Sequence, residues 1–310
     1  MYNSSPKTDL YLITGFLGSG KTTLLKRLLR DFSEINVGVI VNEFGKIGID
    51  GKLVERKNMD LIEINNGSIF CSCLENTFIK GLIDLLDYNL DKIFVETSGL
   101  SDPTNLDKII EVTKNLIDKE FNYKGSICIV NANNFLKLIN TSQAVERQIL
   151  FSDLIIVNKN DLVDEHKIKE VKNKIEKLNQ FAKIISTSYC DFDLDTIDNK
   201  IALDNGLIKE NKPKETINKK SNRPFTYSFQ FKGTISKDGL IKFFKDISDK
   251  IFRAKGFVHT IEGWFYVDLI GEEVNYNKVK SKRDNSELVM LSTEQTDITD
   301  WVQMKWEYYK

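Results

Sequence analysis

The chain has 310 residues, enough to bury a large core and to form two domains. Its 41% hydrophobic and 29% charged residues are typical of a globular protein, and a formal net charge of −1 gives no general attraction to nucleic acid or to an anionic membrane. The N-terminal residues lack the layout of a signal peptide and no apolar run could span a bilayer, so we expect a cytoplasmic protein. Four cysteines do not suffice for a disulfide framework, and we expect reduced thiols.

The first predicted strand, residues 10–14, leads into a glycine-rich turn and then into a helix with apolar residues at helical spacing. The turn matches the Walker A pattern G-x-x-x-x-G-K-[ST], which predicts a phosphate-binding P-loop. Its candidate binding residues are Gly15, Gly18, Ser19, Gly20, Lys21, Thr22 and Thr23. Glycines allow successive N–H groups to turn toward phosphate oxygens, Lys21 would neutralise phosphate charge, and Thr22 would offer its hydroxyl to Mg²⁺.

Apolar β-branched runs alternate with helical patterns over the first two-thirds of the chain. The predicted strands are residues 10–14, 37–41, 60–64, 92–95, 125–130, 154–157 and 183–186. The predicted helices after the P-loop helix are residues 77–86, 105–117, 133–139 and 164–178. This alternation predicts an α/β fold, a P-loop NTPase with a mostly parallel sheet and helices on both faces. A ligand would then lie at the carboxyl ends of the strands.

The loops after the second and third strands carry two further candidates. Asn-Glu-Phe-Gly at residues 42–45 could form a switch in which Glu43 helps to sense the γ-phosphate, and an ordinary polar surface loop is the alternative. Cys71 and Cys73 could share a soft ion, Zn²⁺ or another transition metal, although two sulfurs do not complete a tetrahedral site. Two buried thiols without a metal are equally compatible with this spacing.

The fourth predicted strand ends in a carboxylate. Glu96 could hold Mg²⁺ or orient the attacking water, whereas a Glu that only ends the strand is the alternative. Gly99 would let the main chain approach the γ-phosphate. The predicted catalytic set is therefore Lys21, Glu96 and Glu43.

The strand at residues 154–157 precedes a candidate base-recognition sequence, Asn158-Lys159-Asn160-Asp161. Asp161 could accept hydrogen bonds from the ring N–H and the exocyclic amine of guanine, whereas adenine would leave this carboxylate unpaired. Asn158 and Lys159 would help to hold the base, and Ser188 would belong to the loop that closes over it. These residues favour GTP over ATP as the ligand.

The composition changes near residue 205, where a lysine-rich, apolar-poor segment begins. Acidic residues interrupt this segment and aromatic residues are missing, which favours a solvated linker over a nucleic-acid contact. We predict a GTPase domain at residues 1–205, a linker at 206–223 and a small C-terminal α+β domain at 224–310. Its predicted elements are strands at residues 225–231, 256–261, 263–270 and 287–291, and helices at 236–251 and within 297–310. The last helix could dock on its own domain or present a stripe to a partner.

Several of these motifs, taken in order, resemble those of the CobW-like GTPases. They are residues 15–23, 42–50, the Asn66-Gly67 pair with its nearby cysteines, residues 96–103 and residues 158–161. The resemblance covers essentially the whole chain. It implies slow GTP hydrolysis, with GTP and Mg²⁺ as cofactors, that controls release of a metal cargo to a client metalloenzyme or maturation protein. A nucleotide-dependent homodimer is a further option, and neither nucleic acid nor a membrane is expected as a partner.

The metal motif departs from the family pattern. In the family, Cys-x-Cys-Cys follows Asn-Gly directly, and the aligned residues here are Ser68, Ile69, Phe70 and Cys71. A histidine-rich segment, common in the family, is also missing, since the chain has two histidines. The leading hypothesis is a GTP-hydrolysing metallochaperone or metalloenzyme activator, and the alternative is a metal-independent, GTP-driven clamp on a partner enzyme. A small-molecule kinase would need a substrate pocket that the sequence does not locate.

Overall fold

The computed structural model describes residues 7–43, 59–65, 75–117, 119–197, 225–270, 273–280, 283–292 and 297–310. The chain divides into two compact units, Met1–Lys219 and Lys220–Lys310. The linker predicted at residues 206–223 lies outside the described residues, so the predicted domain boundaries stay a prediction. None of the helices in the described ranges is long and apolar enough to cross a membrane.

The first unit contains a seven-stranded sheet in the order β3-β2-β4-β1-β5-β6-β7. Its strands are β1 (Thr8–Thr14), β2 (Val37–Glu43), β3 (Met59–Asn65), β4 (Lys92–Glu96), β5 (Phe121–Asn131), β6 (Leu154–Asn158) and β7 (Lys183–Ser186). All neighbouring strands run parallel, which confirms the predicted sheet. The carboxyl ends of all seven strands therefore lie along one edge, and β1, which carries the P-loop, is at the centre.

Helices cover both faces of this sheet. They are α1 (Lys21–Asp31), α2 (Glu75–Leu86), α3 (Leu106–Leu116), α4 (Phe135–Thr141), α5 (Gln143–Leu150) and α6 (Glu165–Leu178). Because side chains alternate along a strand, Leu10 and Leu12 of β1 pack in one cluster with α2 and α3, whereas Tyr11 and Ile13 pack in another with α1. The sequence analysis missed α5, a short helix whose apolar positions are interrupted by a polar residue, Gln148.

The second unit is the small α+β layer expected from the sequence. Its antiparallel sheet has the order β11-β10-β9-β12-β8. The elements are β8 (Phe225–Phe231), α7 (Lys237–Ile247), β9 (Ile251–Thr260), β10 (Gly263–Ile270), β11 (Glu273–Lys278), β12 (Ser286–Ser292) and α8 (Thr299–Tyr309).

In the second unit, one predicted element had the wrong end and one strand was not predicted. The helix predicted at residues 236–251 ends at Ile247, and Ile251 already opens β9, because the apolar spacing of the helix continues by chance into the strand. The edge strand β11 was missed. Its sequence is largely polar and its last four residues are exposed, so it carries little of the alternation that indicates a strand.

The core of the second unit is aromatic. The rings of Phe231 and Trp306 stack with centroids 4.3 Å apart, and Phe243 meets Trp306 edge-on at 5.3 Å. Val302 and Trp306 of α8 are fully buried, and Lys305 of the same helix pairs with Asp246 of α7 at 2.7 Å. The last helix thus docks on its own domain, which is the first of the two alternatives considered for it.

Candidate functional site

The turn between β1 and α1 adopts a conformation that glycine permits. Gly15, Gly18 and Gly20 have φ angles of 132°, 69° and 118°. A Cβ atom on Gly15 would lie 2.3 Å from the carbonyl oxygen of Ile129, so a larger residue would collide with β5. Gly20 is the N-cap residue of α1, and because it has no side chain, no side-chain hydrogen bond satisfies the amides at this end of the helix. The main-chain amides of the first turn therefore keep their capacity to bind an anion.

The side chains of Lys21 and Thr22 are fixed at the start of α1. The Lys21 ammonium donates to the carbonyl oxygens of Gly15 and Phe16, at 2.9 and 3.1 Å, so its charge lies within the curl of the turn. The Thr22 hydroxyl donates to Oε1 of Glu96 at 2.8 Å, and Glu96 is buried at the end of β4. A hydroxyl and a carboxylate are hard oxygen donors, which fit Mg²⁺. Thr23, the other hydroxyl of this turn, is exposed.

The loop after β4 packs directly on the P-loop. A Cβ atom on Gly99 would lie 2.6 Å from the main-chain nitrogen of Leu17, so the two main chains approach more closely than another residue would allow. Gln148 of α5 holds this loop from the other side. Its buried amide donates to the carbonyl oxygens of Gly99 and Ser101, at 3.2 and 2.9 Å.

A third loop reaches the same edge from β6. Buried Asn158 donates from Nδ2 to the carbonyl oxygen of Ser19 at 3.0 Å, and its Oδ1 accepts from the amide of Cys190 at 3.0 Å. The Asp161 amide donates to the Ser188 hydroxyl at 3.0 Å, which places these two candidates side by side while the Asp161 side chain stays exposed. Lys159 adopts a left-handed conformation, with φ of 63°. The sequence pattern did not reveal that Asn158 bridges two loops.

Two more residues on this edge escaped the sequence analysis. Arg27 of α1 contacts the loop that follows β7, and Gln148 contacts the loop that follows β4. Gln148 had a detectable signal, since it is a polar residue among the buried apolar positions of α5. Arg27 had none, because an arginine on a surface helix is ordinary.

The thiols of the described residues are poor candidates for metal binding. Burial raises the pKa of Cys128 and of Cys190 to about 12, so both remain protonated at neutral pH. Within the described ranges, no group of three or more His, Cys, Asp and Glu residues is placed to hold a metal ion. Cys71 and Cys73 lie outside these ranges. The main chain of Glu43 ends β2 beside Asn65, and its side chain is likewise not described.

Comparison with known proteins agrees with this architecture. The family described as CobW/HypB/UreG, nucleotide-binding domain, matches residues 9–186, which is more than half of the chain. The chain belongs to this family. The resemblance to CobW-like GTPases noted in the sequence is therefore confirmed, and the matched region includes the loops after β1, β4 and β6.

Three similar proteins have names that refer to zinc. The zinc chaperone YjiA of Escherichia coli is 29% identical over 206 residues, covering 64% of this chain and 62% of that protein. The zinc chaperone CobW of Sinorhizobium is 30% identical over 199 residues, covering 54% and 55%. The zinc-regulated GTPase metalloprotein activator 1 of Saccharomyces cerevisiae is 27% identical over 207 residues, covering 58% and 48%. The chain thus spans about half to three-fifths of the length of these relatives.

A solved structure supports the fold over nearly the whole chain. The zinc-bound YjiA GTPase from E. coli superimposes with a TM-score of 0.50 at 20% identity, covering 98% of this chain and 99% of that chain. At this identity the likeness concerns the fold alone.

Proposed function

We propose that this chain binds GTP with Mg²⁺ and hydrolyses it, and that the nucleotide state gates delivery of a metal ion to a client protein. The observation that carries the proposal is the meeting of three loops at one sheet edge. The Thr22–Glu96 hydrogen bond joins the loops after β1 and β4, and the Asn158–Ser19 hydrogen bond joins the loops after β1 and β6. These contacts support the proposal because the residues assigned to phosphate, to Mg²⁺ and to the base would then lie next to one another.

The chemistry follows from the charges of these residues. Lys21 and the amides at the start of α1 would stabilise the negative charge that spreads over the phosphate oxygens during transfer. Thr22 and Glu96 would hold Mg²⁺, which neutralises part of that charge when bound. Gly99 would bring a main-chain amide to the terminal phosphate, and Glu43 would respond to its loss. Phosphoryl transfer needs little covalent chemistry from the protein, so positioning and electrostatics would supply the rate.

The names of the relatives indicate which cargo to test first. Proteins named zinc chaperone or zinc-regulated metalloprotein activator align with this chain, so Zn²⁺ is the first cargo to test and a metalloprotein the first class of client. A second candidate function is a metal-independent, GTP-driven clamp on a partner enzyme. The sequence supports this second candidate because the family's Cys-x-Cys-Cys metal motif is not conserved in this chain. The aligned residues are Ser68, Ile69, Phe70 and Cys71, which keep one of the three thiols.

Nucleotide specificity tests the core of the proposal. We expect Mg²⁺-dependent phosphate release from GTP and a strong preference for GDP over ADP in binding. Asp161→Ala should raise the Kd for GDP by about 100-fold and leave that for ADP unchanged, since the lost carboxylate reads only guanine. Lys21→Ala, which keeps Asp161, is the matched control and should weaken both nucleotides. Unchanged discrimination in Asp161→Ala would refute the base assignment.

A second arm of the same experiment separates the two candidates. Zn²⁺ is titrated into the reduced protein with GDP or with a non-hydrolysable GTP analogue. Metal delivery requires Zn²⁺ affinity that depends on the nucleotide and falls in the Cys71→Ser/Cys73→Ser double variant. Binding that is insensitive to both would support the clamp.

A further inference from the structure

The loop after β7 carries an unusual main-chain conformation beside the candidate base site. Tyr189 and Cys190 both have φ of 55°, in the left-handed region that residues with a Cβ rarely adopt. We call residues 187–192 the base loop, because Ser188 within it accepts the hydrogen bond from the Asp161 amide. Two consecutive residues in this conformation persist only where surrounding contacts fix them.

Arg27 provides contacts of this kind. Its guanidinium donates to the main-chain carbonyl oxygens of Cys190 and Phe192, and it lies 5.3 Å from the centroid of the Phe192 ring. It also pairs with the Asp191 carboxylate at 3.3 Å. A planar guanidinium with several N–H groups can satisfy two carbonyls and face an aromatic ring at once, which a lysine ammonium cannot do.

Arg27 lies on the same helix as the P-loop lysine. It belongs to α1, whose first residue is Lys21 of the P-loop, so one helix carries the phosphate-binding end and also holds the base loop. Asn158 makes a parallel connection, since its side chain joins Ser19 of the P-loop to the Cys190 amide. Cys190 thus connects the base loop to the P-loop and to α1. Its amide donates to Asn158, which also contacts Ser19, and its carbonyl oxygen accepts from Arg27.

We infer that Arg27 is a positioning residue for guanine recognition, acting through the base loop and the Asp161–Ser188 contact. This inference rests on the proposed function, because it presumes that the site binds a guanine nucleotide. It assigns to Arg27 a role in base specificity and none in the chemistry at the phosphates.

The test compares three ligands, GDP, ADP and inorganic pyrophosphate, by calorimetry on the full chain. Arg27→Ala should raise the Kd for GDP by roughly tenfold or more, as expected for the loss of charge-assisted hydrogen bonds that order a binding loop. The Kd for pyrophosphate should stay within about twofold of the wild-type value, because pyrophosphate reads the P-loop without the base loop. The preference for GDP over ADP should fall accordingly.

Three further variants make the result specific. Arg27→Lys keeps the charge near Asp191 and should recover only a small part of the GDP affinity. Asp191→Asn should change the GDP affinity less than about threefold, because this carboxylate is largely exposed. Arg30→Ala is the matched control, since Arg30 lies on the same helix, is exposed and pairs with the adjacent Asp31.

The outcomes separate the inference from the proposed function. If wild-type protein shows no preference for GDP over ADP, the proposed function fails. If wild-type protein prefers GDP but Arg27→Ala and Arg27→Lys both keep the wild-type ratio, the inference is wrong and the proposed function stands. Equal weakening of GDP and pyrophosphate in Arg27→Ala would show that Arg27 stabilises α1 in general, and would also overturn the inference.

Discussion

The two units of the chain differ in the kind of side chain that they bury. In the first unit, buried polar residues gather at the carboxyl ends of parallel strands, as with Thr14, Glu96 and Asn158. In the second unit, the centre is filled by stacked rings such as Phe231 and Trp306. A buried polar group costs free energy unless it is partnered, whereas a buried aromatic ring stabilises through area and ring geometry. The first unit therefore places many of its buried polar groups at the edge that carries the candidate site, whereas aromatic rings fill the centre of the second unit.

The largest expected effect lies in the aromatic core. Trp306→Ala should lower the free energy of unfolding of the second unit by about 3–5 kcal/mol, because a fully buried indole is lost and the surrounding rings cannot fill the space. Chemical denaturation monitors the change, and Trp301→Ala on the same helix, where the ring is only half-buried, is the control. The comparison predicts that GDP affinity stays unchanged. A parallel loss of GDP affinity would mean that the aromatic core also serves the nucleotide site.

A smaller effect is expected from the polar edge of the first unit. Gln148→Leu removes the donor to the Gly99 and Ser101 carbonyls and should lower stability by about 2 kcal/mol, the usual cost of unsatisfied buried groups. Because the loop after β4 loses its support, GTP hydrolysis should slow about tenfold while the Kd for GDP changes little.

Gln143→Leu provides the control for that measurement, since Gln143 lies on the same helix and is exposed. If Gln148→Leu lowered stability without slowing hydrolysis, Gln148 would be a core residue with no influence on the site.

The smallest effect concerns a surface pair of the second unit. Hydrogen bonds from Lys305 and Tyr309 lower the pKa of Asp246. A carboxyl with a lowered folded-state pKa stabilises the fold above its unfolded pKa of about 3.9, and this contribution is lost as pH falls through the folded pKa. Asp246→Asn should therefore lower Tm by about 2 °C at pH 7, and the difference should shrink as pH falls below about 3.9 and vanish below the folded-state pKa. A difference that persists at low pH would point to packing in place of charge.

The sequence predicted the parallel sheet and the turn at residues 15–23 because both depend on local patterns. Apolar runs mark strands buried on both faces, and glycine spacing marks a turn that larger residues cannot adopt. It failed for β11, a polar edge strand defined by its pairing with β10, and for the end of α7, where helical spacing continues into β9.

The same difference between local patterns and distant contacts applies to the residues of the candidate site. Residues of the P-loop and of the sequence after β6 could be nominated because each motif is contiguous. The roles of Arg27 and Gln148 could not, since they depend on loops brought close by the sheet; Arg27 and Cys190 are 163 residues apart in the chain. Motifs therefore indicate which groups would touch a ligand, and only the fold reveals which groups hold them in place.

Because β1 is the central strand, both of its neighbours in the sheet are synthesised after it. Leu10 pairs with Ile93 of β4 and with Tyr123 of β5, so both neighbours of the P-loop strand are translated long after it. A growing chain thus carries the glycine-rich turn through much of its translation without the two strands that shape it. Contacts so distant in sequence form slowly, so we expect β1 to be among the last strands of this unit to gain both of its neighbours.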